Sequence, residues 1–438
     1  MAIITINTAE ELFNIGIDVA TPIDGDYVLG QDIDCSAHVD TEAIGSNGDV
    51  PFTGTFDGNN HKISNMTIAQ TDARVSRIVG LFAVLGAGAV VKNIVFESCT
   101  ITNTRNTATT VSGLIAGSCI QLNATVNPSI ITDCSATDCS ISANAIAGGL
   151  VGNVKTSDLS NLETPLLQMS KSSFSGTVET RDIYSVAMGG LIAEASRVEM
   201  SKCYALGTIT TSNYFVNCWI GGLIGQAFDS LRMINCYCQM NIDVQTDYNT
   251  RIGGLICRIF SGVNTEITNC YTANTFPRAV VAKAGGMCFL FGDITEPELY
   301  VTDCHWDSDI SGVVTRDELG VTGQTTSLMQ NQDTFENWDF VSIWGILSGN
   351  YPNFDLAIIA APEPFLLLEY KNNNVGNWST PRFISLGKTG DASLIKSLRR
   401  LGSYETRQYR LTWIVDVPMT LALFQELVEG KEEDTDGS

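Results

Sequence analysis

Residues 220–238 read IGGLIGQAFDSLRMINCYC, and about thirty residues later the chain repeats both phrases as IGGLI and ITNCY. The leucine recurs at steps of 33, 36, 41, 32, 32 and 32 residues, at Leu81, Leu114, Leu150, Leu191, Leu223, Leu255 and, as methionine, Met287. The cysteine recurs at Cys99, Cys134, Cys203, Cys236, Cys270 and Cys304, with Ser173 where one is missing. An aromatic residue or histidine follows it in later copies, at Phe174, Tyr204, Tyr237, Tyr271 and His305. A fixed period of this size is the signature of a solenoid.

The repeating units are built from strands rather than helices. Segments such as ITNCYTANTF and YALGTITTSNYFV are strand-like, and no copy shows a long apolar stripe at helical spacing. Strands stacked turn upon turn form a parallel β-helix, which is right-handed because parallel crossovers overwhelmingly are. About seven repeats and one or two opening turns predict a rod roughly 40 Å long. The predicted fold class is all-β: a right-handed parallel β-helix over roughly residues 25–350, with a small C-terminal antiparallel β module.

Two features of the repeat have a packing interpretation. Gly221 and Gly222 are expected to turn a corner of the coil, through positive φ and close backbone approach, so that Leu223 points inward. Free cysteine behaves as a small buried apolar residue, so the cysteine column is expected to be an interior stack of reduced thiols. Disulfides and a metal site are the alternatives, but cysteines on successive turns lack the CxxC pairing of a zinc site.

Composition agrees with a glycine-rich β protein made in a reducing compartment. The chain has 39 Gly, 17% charged residues and 13 Cys, an odd number that leaves at least one thiol unpaired. Its first residues, MAIITINTAEELF, lack the basic segment and apolar core of a signal peptide. No apolar run reaches the roughly 18 residues of a transmembrane helix. We therefore expect synthesis in a reducing cytoplasm without signal-dependent export, reduced thiols and no membrane insertion.

The opening and closing segments carry a family resemblance. The stretches FTGTFDGNNHKISNMTI (52–68) and VGLFAVLGAGAVVKNIVF (79–96), with the GGLIG and NCY phrases, resemble the GLUG-repeat β-helix of bacterial surface and phage proteins. The stretch GVTGQTTSLMQNQDTFENWDFVSIWGILSGNYP (320–352) resembles the segment that ends such arrays. The resemblance covers roughly residues 25–355 and implies the fold. It leaves function open, because adhesins, appendages and carbohydrate-active proteins all use this scaffold.

Changes in residue composition and pattern divide the chain into four parts. Residues 1–356 hold the β-helix with its opening turns, and residues 357–364, which include two prolines, form a short linker. Residues 365–430 are expected to form the β module, with strands in RQYRLTWIV and in DVPMTLALFQELVE, where Pro418 interrupts the edge. Residues 431–438 form an acidic tail that is expected to be disordered.

The module carries a second resemblance. NWSTPRFISLGKTGD, RRLGSYETRQYRLTW and DVP resemble the C-terminal stretch of phage virion proteins, including the DNA-stabilising tail-hub proteins of short-tailed phages. The matching residues are Trp378, Ser379, Arg382, Leu386, Gly387, Gly390, Arg399, Arg400, Leu401, Gly402 and Asp416. In that family the preceding body is unlike this one, so the resemblance implies a phage particle component more than a particular tail part. The candidate docking residues are Trp378, Arg382, Arg399, Arg400 and Trp413.

Charge separates the body from the module. Residues 1–362 contain 16 Lys and Arg against 37 Asp and Glu, a net charge of −21, whereas residues 363–429 contain 8 against 7. Nucleic-acid binding depends on neutralising phosphates, so the acidic body predicts no direct nucleic-acid contact. An acidic rod is soluble and resists self-association. Arg399 and Arg400 suit carboxylates of a neighbouring subunit, and a solvated surface pair is the plainer interpretation.

Catalysis has weak support. Glycoside hydrolysis needs two carboxylates ~5–9 Å apart, and 48 acidic residues guarantee chance pairs. The pairs Asp24/Asp26, Asp32/Asp34 and Asp307/Asp309 lie in turn-like phrases where Asp forms local hydrogen bonds. The segment DCHWDSDISG (303–312) is compatible with a cation site, but it also matches the ordinary phrase of the last repeat. The structural interpretation is therefore favoured. His38, His61 and His305 stand apart, and no nucleotide-binding fingerprint occurs. We predict no catalytic, cofactor or metal site.

Three functions remain open. The leading one is a non-enzymatic structural protein of the virion: a tail hub, nozzle or appendage that docks to other tail proteins through residues 365–430, as a ring or cluster of identical copies. The second is a receptor-binding tail spike or adhesin that grips a host-surface glycan or protein. The third is a polysaccharide-degrading spike. For the module itself, the alternative to docking is an autonomous cap that closes the end of the rod.

Overall fold

The computed structural model describes most of the first 354 residues and three strands beyond them. The described residues are 3–38, 42–46, 50–70, 77–103, 110–121, 127–156, 164–180, 186–211, 218–244, 250–260, 265–277, 284–287, 299–313, 321, 323–347, 349–354, 365–372, 382–385 and 407–413. The chain divides into two compact units, residues 1–354 and residues 355–438. Within the described residues, no helix combines the length and apolarity needed to cross a membrane.

The elements are short and almost all are strands. The first are β1 Ile4–Ile6, β2 Tyr27–Leu29, β3 Ile33–Asp34, β4 Thr55–Asp57, β5 Lys62–Ser64, β6 Thr67–Gln70, β7 Ile78–Val79, β8 Phe82–Leu85, β9 Val90–Glu97, β10 Thr100–Asn103, β11 Val111–Ser112 and β12 Ala116–Gln121. The next are β13 Ser129–Ala143, β14 Ile146–Gly148, β15 Val151–Thr156, β16 Leu167–Ser170, β17 Ser173–Thr180, β18 Val186–Gly189, β19 Ile192–Ala195, β20 Val198–Ser201, β21 Tyr204–Thr211, β22 Cys218–Gly221, β23 Ile224–Ala227 and β24 Leu231–Ile234. The last are β25 Tyr237–Asp243, β26 Thr250–Gly253, β27 Ile256–Ile259, β28 Thr265–Thr268, β29 Tyr271–Thr272, β30 Ala284–Gly285, β31 Leu299–Thr302, β32 His305–Asp307, β33 Gly323–Gln324, β34 Phe365–Asn372, β35 Arg382–Ser385 and β36 Arg407–Trp413. Among the described residues, the helices are α1 Ala9–Phe13, α2 Ser308–Ser311 and α3 Thr326–Met329, and a 3₁₀ turn lies at Gln332–Thr334.

A typical turn of the first unit contributes one strand to each of two narrow sheets and two strands to a wide one. The seven-stranded sheet runs β7, β11, β14, β18, β22, β26, β30, and the six-stranded sheet runs β8, β12, β15, β19, β23, β27. The twenty-stranded sheet collects the other strands up to β33. The ladders between these described strands are parallel, as in the register Tyr204↔Tyr237↔Tyr271. The predicted parallel β-helix is confirmed.

The repeat leucines form one column of the core, as predicted. Leu81, Leu114, Leu150, Leu191, Leu223, Leu255 and Met287 are at most 2% exposed. The column is also continuous in its backbone: the N–H of Leu191 donates to the carbonyl of Leu223, and that of Leu223 donates to Leu255, at 3.0 and 2.9 Å. Burying one such leucine stabilises the fold by about 2 kcal/mol, so the column is a main source of cohesion between turns.

The cysteines lie inside as predicted, but not all in one column. Cys134, Ser172, Cys203, Cys236, Cys270 and Cys304 follow one another, since each precedes a strand in the register Ser135↔Ser173↔Tyr204↔Tyr237↔Tyr271↔His305. Ser172, rather than Ser173, therefore replaces the missing cysteine, and its Oγ accepts the N–H of Cys134 at 3.3 Å. Cys99 instead lies beside Cys139, because Thr100 pairs with Ser140. The twelve cysteines of the described residues are buried free thiols.

The residue before each cysteine of this column makes a corner with left-handed backbone. These corner residues have φ between 45° and 54° at Asp133, Lys171 (before Ser172), Lys202, Asn235, Asn269 and Asp303, and Asn93, before Ile94 on the preceding turn, has φ of 55°. Asn and Asp tolerate this conformation better than other residues with a Cβ, which explains why the later phrases read NC or DC. The corners stack through their backbones: the N–H of Asn235 donates to Thr268, and that of Lys202 to Ile234, at 3.0 and 3.1 Å.

The glycine pair turns a corner for a different reason. Gly221 and Gly222 lie between β22 and β23, yet neither has a positive φ, so that part of the prediction is wrong. Close approach is the cause. A Cβ at Gly222 would overlap the carbonyl oxygen of Gly254 and the Sγ of Cys238 on the next turn. Glycine is thus required here by space between turns and not by its dihedral freedom.

The closing segment, residues 323–354, folds back over the side of the last turns. It covers an aromatic column in which the rings of Tyr204 and Tyr237 stack at 4.8 Å and those of Tyr237 and Tyr271 at 5.0 Å. The segment supplies Met329, Phe335, Trp338 and Trp344 to this second core. The hydroxyl of Tyr271 donates to the carbonyl of Pro352 at 2.5 Å. The cover therefore completes the apolar surface that the last repeats leave open.

The second unit contains a small antiparallel sheet, as predicted. Its central strand β34 pairs with β35 through Leu368↔Arg382 and with β36 through Leu366↔Trp413. The strand predicted in RQYRLTWIV corresponds to β36. The linker 357–364, the strand predicted after Asp416 and the acidic tail 431–438 lie outside the described residues.

Candidate functional site

A polar cleft opens on the outer surface of the twenty-stranded sheet, across β20, β24, β28 and β31. It encloses about 530 Å³, and its lining includes Pro165, Glu199, Arg232, Glu266, Tyr300 and Thr302. This volume lies within the range of small-molecule sites in proteins, ~300–1,000 Å³. We call it the Glu–Arg cleft.

One outward column of side chains forms the Glu–Arg cleft. The parallel register places Gln168, Glu199, Arg232, Glu266 and Tyr300 on successive turns. Their direction is fixed because alternate residues of a strand face opposite sides of a sheet, and the flanking residues face the core. Gln168 Nε2 donates to Glu199 Oε2 at 2.8 Å, and Arg232 Nε donates to Glu266 Oε2 at 2.8 Å. The column thus alternates donors and acceptors at intervals of ~4.8 Å.

The side chains of this column remain available to solvent. The Arg232 and Glu266 side chains are 54% and 43% exposed, and Tyr300 is 61% exposed. The hydrogen bond to Glu266 raises the pKa of Arg232, so the guanidinium stays charged at any physiological pH. An exposed ion pair of this kind contributes little to stability, ~0–1 kcal/mol. Because this ion pair contributes little to stability and lies beside an exposed aromatic ring, we expect it to have a role other than stabilising the fold.

The geometry suits binding better than cleavage. Glu199 and Glu266 lie two turns apart, so their Cα atoms are separated by ~9.6 Å. An inverting hydrolase places its two carboxyl groups ~6.5–9.5 Å apart and keeps one of them protonated. Arg232 stands between them in the register and donates to Glu266, so a guanidinium takes the place where an inverting hydrolase needs room for the attacking water. The column instead offers a ligand carboxylate acceptors, guanidinium donors and the ring of Tyr300.

Sequence reasoning did not identify this column, although a signal for it exists. Glu199, Arg232, Glu266 and Tyr300 each stand four residues before a cysteine of the repeat. A residue at that offset lies on the strand preceding the corner, and its side chain points away from the core. Aligning the repeats on their cysteines would have placed two carboxylates, a guanidinium and a phenol on one outward line.

Of the acidic pairs singled out in the sequence, Asp34 and Asp307 have local hydrogen-bond partners, whereas Asp26 and Asp32 accept the backbone N–H groups of Thr55 and Lys62 on the next turn. Asp34 Oδ1 accepts the backbone N–H of Ser36 at 2.9 Å. Asp307 is fully buried and caps α2, where its Oδ1 accepts the N–H groups of Asp309 and Ile310 at 2.9 and 3.1 Å. These are the turn and cap interactions expected of aspartate, and neither residue lies in the Glu–Arg cleft.

The histidines do not converge on a site. His61 Nδ1 lies 3.0 Å from Asp32 Oδ1 in the opening turns. His305 lies in the last turn with its ring edge-on to Phe335 at 5.2 Å, and burial lowers its pKa. Across the part of the chain that the structure describes, no three His, Cys, Asp or Glu side chains form a group able to hold a metal ion.

The candidate docking residues belong to the second unit. Arg382 begins β35 and Trp413 ends β36, on the two strands that flank β34. Trp378, Arg399 and Arg400 lie outside the described residues. The docking role of these five residues stays a prediction.

Comparison with known proteins supports the fold of the body. No protein-family model matches the chain. It is 30% identical to "Halomucin" of Haloquadratum walsbyi over 152 residues, 33% of this chain and 2% of that protein. It is 32% identical to a "Putative Gly-rich membrane protein" of Evansella cellulosilytica over 114 residues, 24% of this chain and 12% of that protein. The chain therefore spans only a small part of these relatives.

A solved structure has the same overall architecture. The crystal structure of a "putative immunoglobulin A1 protease" from Bacteroides ovatus superposes with a TM-score of 0.52 at 18% identity, covering 80% of this chain and 92% of that one. At this identity the likeness concerns the fold alone. It agrees with a β-solenoid that makes up most of the chain.

Proposed function

We propose that this chain is a non-enzymatic β-solenoid appendage of a phage virion that recognises a host-surface saccharide through the Glu–Arg cleft. The observation that carries the recognition role is the outward column Glu199–Arg232–Glu266–Tyr300, in which Arg232 and Tyr300 are exposed and the two glutamates are partly exposed. A preorganised polar line next to an aromatic ring is the arrangement that binds a sugar, since the ring covers an apolar face while charged groups bind hydroxyls.

The ligand class follows from the charges of the cleft. Two carboxylates flank one guanidinium in the column, and the body carries a net charge of −21 over residues 1–362, from 16 basic and 37 acidic residues. This surplus of negative charge disfavours an anionic ligand here. Neutral sugar hydroxyls can both accept from Arg232 and donate to Glu199, so a neutral oligosaccharide fits best.

The placement in a virion rests on the C-terminal unit. Its sequence resembles phage virion proteins at Trp378, Arg382, Arg399 and Arg400, and it forms a compact unit separate from the body. We propose that this unit docks to other tail proteins and to copies of itself, which leaves the solenoid free to face the host. A tail hub or nozzle protein with the same docking unit is the second candidate, because the resemblance extends to tail-hub proteins.

Binding of neutral oligosaccharides to the full-length protein tests this function. An array of such sugars is expected to yield at least one ligand, for which Tyr300→Ala and Arg232→Gln each weaken binding by about tenfold. Lys171→Gln is the matched control, because Lys171 is also exposed and paired, 3.5 Å from Asp133, but lies outside the cleft. Equal binding by all three variants would exclude the cleft. Release of new reducing ends from the bound sugar would exclude a non-enzymatic role.

A further inference from the structure

A second cluster of polar side chains lies where the two narrow sheets meet. Arg251 follows Trp219 by one turn on the seven-stranded sheet, and Arg258 follows Gln226 by one turn on the six-stranded sheet. The corner between these sheets is made by glycines such as Gly221. Small residues at the corner let side chains from both sheets converge on its outer surface.

Aromatic rings hold one of the arginines in place. The Cζ of Arg258 lies 3.7 Å from the ring centroid of Phe260 and 5.8 Å from that of Trp219. Phe260 itself stacks on Phe228 at 4.5 Å. A guanidinium lying over a ring loses little conformational entropy when it binds a ligand, since its plane is already fixed. The Arg258 group is therefore preorganised.

The cluster also contains a donor that lacks an acceptor. The indole N–H of Trp219 is shielded from solvent and finds no hydrogen-bond partner in the structure. A buried donor without an acceptor costs free energy, so such groups usually point to a missing partner. The Arg258 guanidinium near the same ring adds further donors.

Two cationic groups meet at this corner. Burial lowers the pKa of Arg258, and the neighbouring charge of Arg251 lowers it further. An anion placed between them would reverse this unfavourable interaction. The column also carries Glu194, two turns from Arg258, whose pKa is raised by burial.

We propose that Trp219, Arg251 and Arg258 form a binding site for the carboxylate of an acidic sugar, such as a uronic acid unit of a polysaccharide. The carboxylate accepts from the two guanidinium groups and the indole N–H, and the apolar face of the sugar lies against the aromatic rings. The site is independent of the Glu–Arg cleft, which lies on the twenty-stranded sheet.

Charge density decides between an acidic polysaccharide and a nucleic acid. Duplex DNA carries one negative charge per ~1.7 Å and gains its affinity by neutralising many phosphates. A body with a net charge of −21 from 16 basic and 37 acidic residues repels such a polymer beyond the local cluster. A uronic acid unit places one carboxylate at the two arginines, and its apolar ring face can lie against Phe260 and Trp219, which lie beside Arg258, so it fits both the charged and the aromatic part of the cluster.

Calorimetric titration of the full-length protein with hexagalacturonate tests the site, with cellohexaose as the neutral probe. We expect Arg258→Gln and Arg251→Gln to weaken hexagalacturonate binding by about tenfold each and to leave cellohexaose binding unchanged, because a neutral hexamer is expected to bind the Glu–Arg cleft. Arg258→Lys keeps the charge without the planar fork and is expected to fall between. Lys171→Gln, which lies outside both sites, should leave hexagalacturonate binding unchanged, and the unchanged affinity of Arg258→Gln for cellohexaose separates this site from the proposed function.

Three outcomes would overturn the proposal. The first is an equal loss of affinity for hexagalacturonate and for cellohexaose in Arg258→Gln. The second is an unchanged affinity in Arg258→Gln and Arg251→Gln, provided that both melt within a few degrees of the wild type. The third is equally tight binding of a single-stranded DNA dodecamer, which would show that the cluster responds to negative charge alone.

Discussion

The indole N–H of Trp344 donates to Oδ1 of Asn235 at 3.1 Å, joining positions 109 residues apart. Asn235 is one of the left-handed corners of the solenoid, with φ of 54°. Trp344 is fully buried in the closing segment, with its ring 5.9 Å from that of Tyr237. One hydrogen bond thus attaches the cover to the corner that the repeat itself dictates.

Trp344→Phe should destabilise the first unit by about 1–3 kcal/mol, because the ring is kept while Asn235 loses its donor in a buried setting. Trp344→Ala should cost about 3–5 kcal/mol through the cavity it leaves. Denaturant unfolding followed by circular dichroism measures both. Leu347→Ala serves as control, since Leu347 is 52% exposed and such sites change stability by about 0.5 kcal/mol or less. A Phe variant as stable as the wild type would show that the hydrogen bond contributes nothing.

Gly222→Ala should destabilise the solenoid by about 3 kcal/mol or more, because the new Cβ must displace the backbone of the next turn. Gly349→Ala is the matched control: its φ is +79° and a Cβ there meets nothing within 4 Å. Only the left-handed conformation opposes that change, at a cost of about 1–2 kcal/mol. If the two variants have the same melting temperature, crowding between turns is not what requires glycine at position 222.

The buried thiols should make the protein less stable in alkali. Burial raises the pKa of Cys119, Cys238 and Cys257 to about 12, from 9.0. Because the folded pKa is raised, the unfolded chain loses protons first. The stabilisation is complete below pH ~9 and is lost as the pH rises toward ~12, by up to ~1.4 kcal/mol per thiol and pH unit. The free energy of unfolding, measured from pH 8 to 10.5, is expected to fall less steeply in Cys119→Ala.

Thiol labelling provides an independent check on the same core. Cys203, Cys236 and Cys270 are 0% exposed, so a thiol reagent at pH 8 should modify them only as fast as the protein unfolds. Rapid modification of all three in the native protein would contradict the interior column, and an unchanged slope in Cys119→Ala would contradict the raised pKa.

The strongly repeated parts of the fold could be predicted from the sequence. The leucine step of about 32 residues predicted a parallel solenoid, and the burial of Leu191 and Leu223 follows from it. The register of the cysteine column was harder to predict from the sequence, because β13, Ser129–Ala143, passes through two corners, at Asp133 and Asp138. A constant step cannot show which of two corners a cysteine follows, so Cys99 was matched with the wrong turn.

Contacts made by segments that do not belong to the repeat could not be predicted from the repeat. The cover supplied by Trp338 and Trp344 depends on a segment with no counterpart in other turns. The Glu–Arg cleft was accessible in principle, since Glu199 and Arg232 share one offset from the repeat cysteine. The Arg258 cluster was not, because its ring contacts join two different sheets.

Removal of residues 355–438 tests the docking role of the second unit. The first unit, residues 1–354, has its own core and its own closing segment, so we expect the truncated protein to fold with an unchanged melting temperature and β content.

The near-neutral stretch 363–429, with 8 basic against 7 acidic residues, can approach a partner where the acidic body cannot. We therefore expect phage particles that assemble in the presence of the truncated protein to lack it, as measured by immunoblotting of purified virions. Incorporation at the normal level would refute docking through this unit. Loss of folding in the truncated protein would show instead that the unit acts as a cap on the rod.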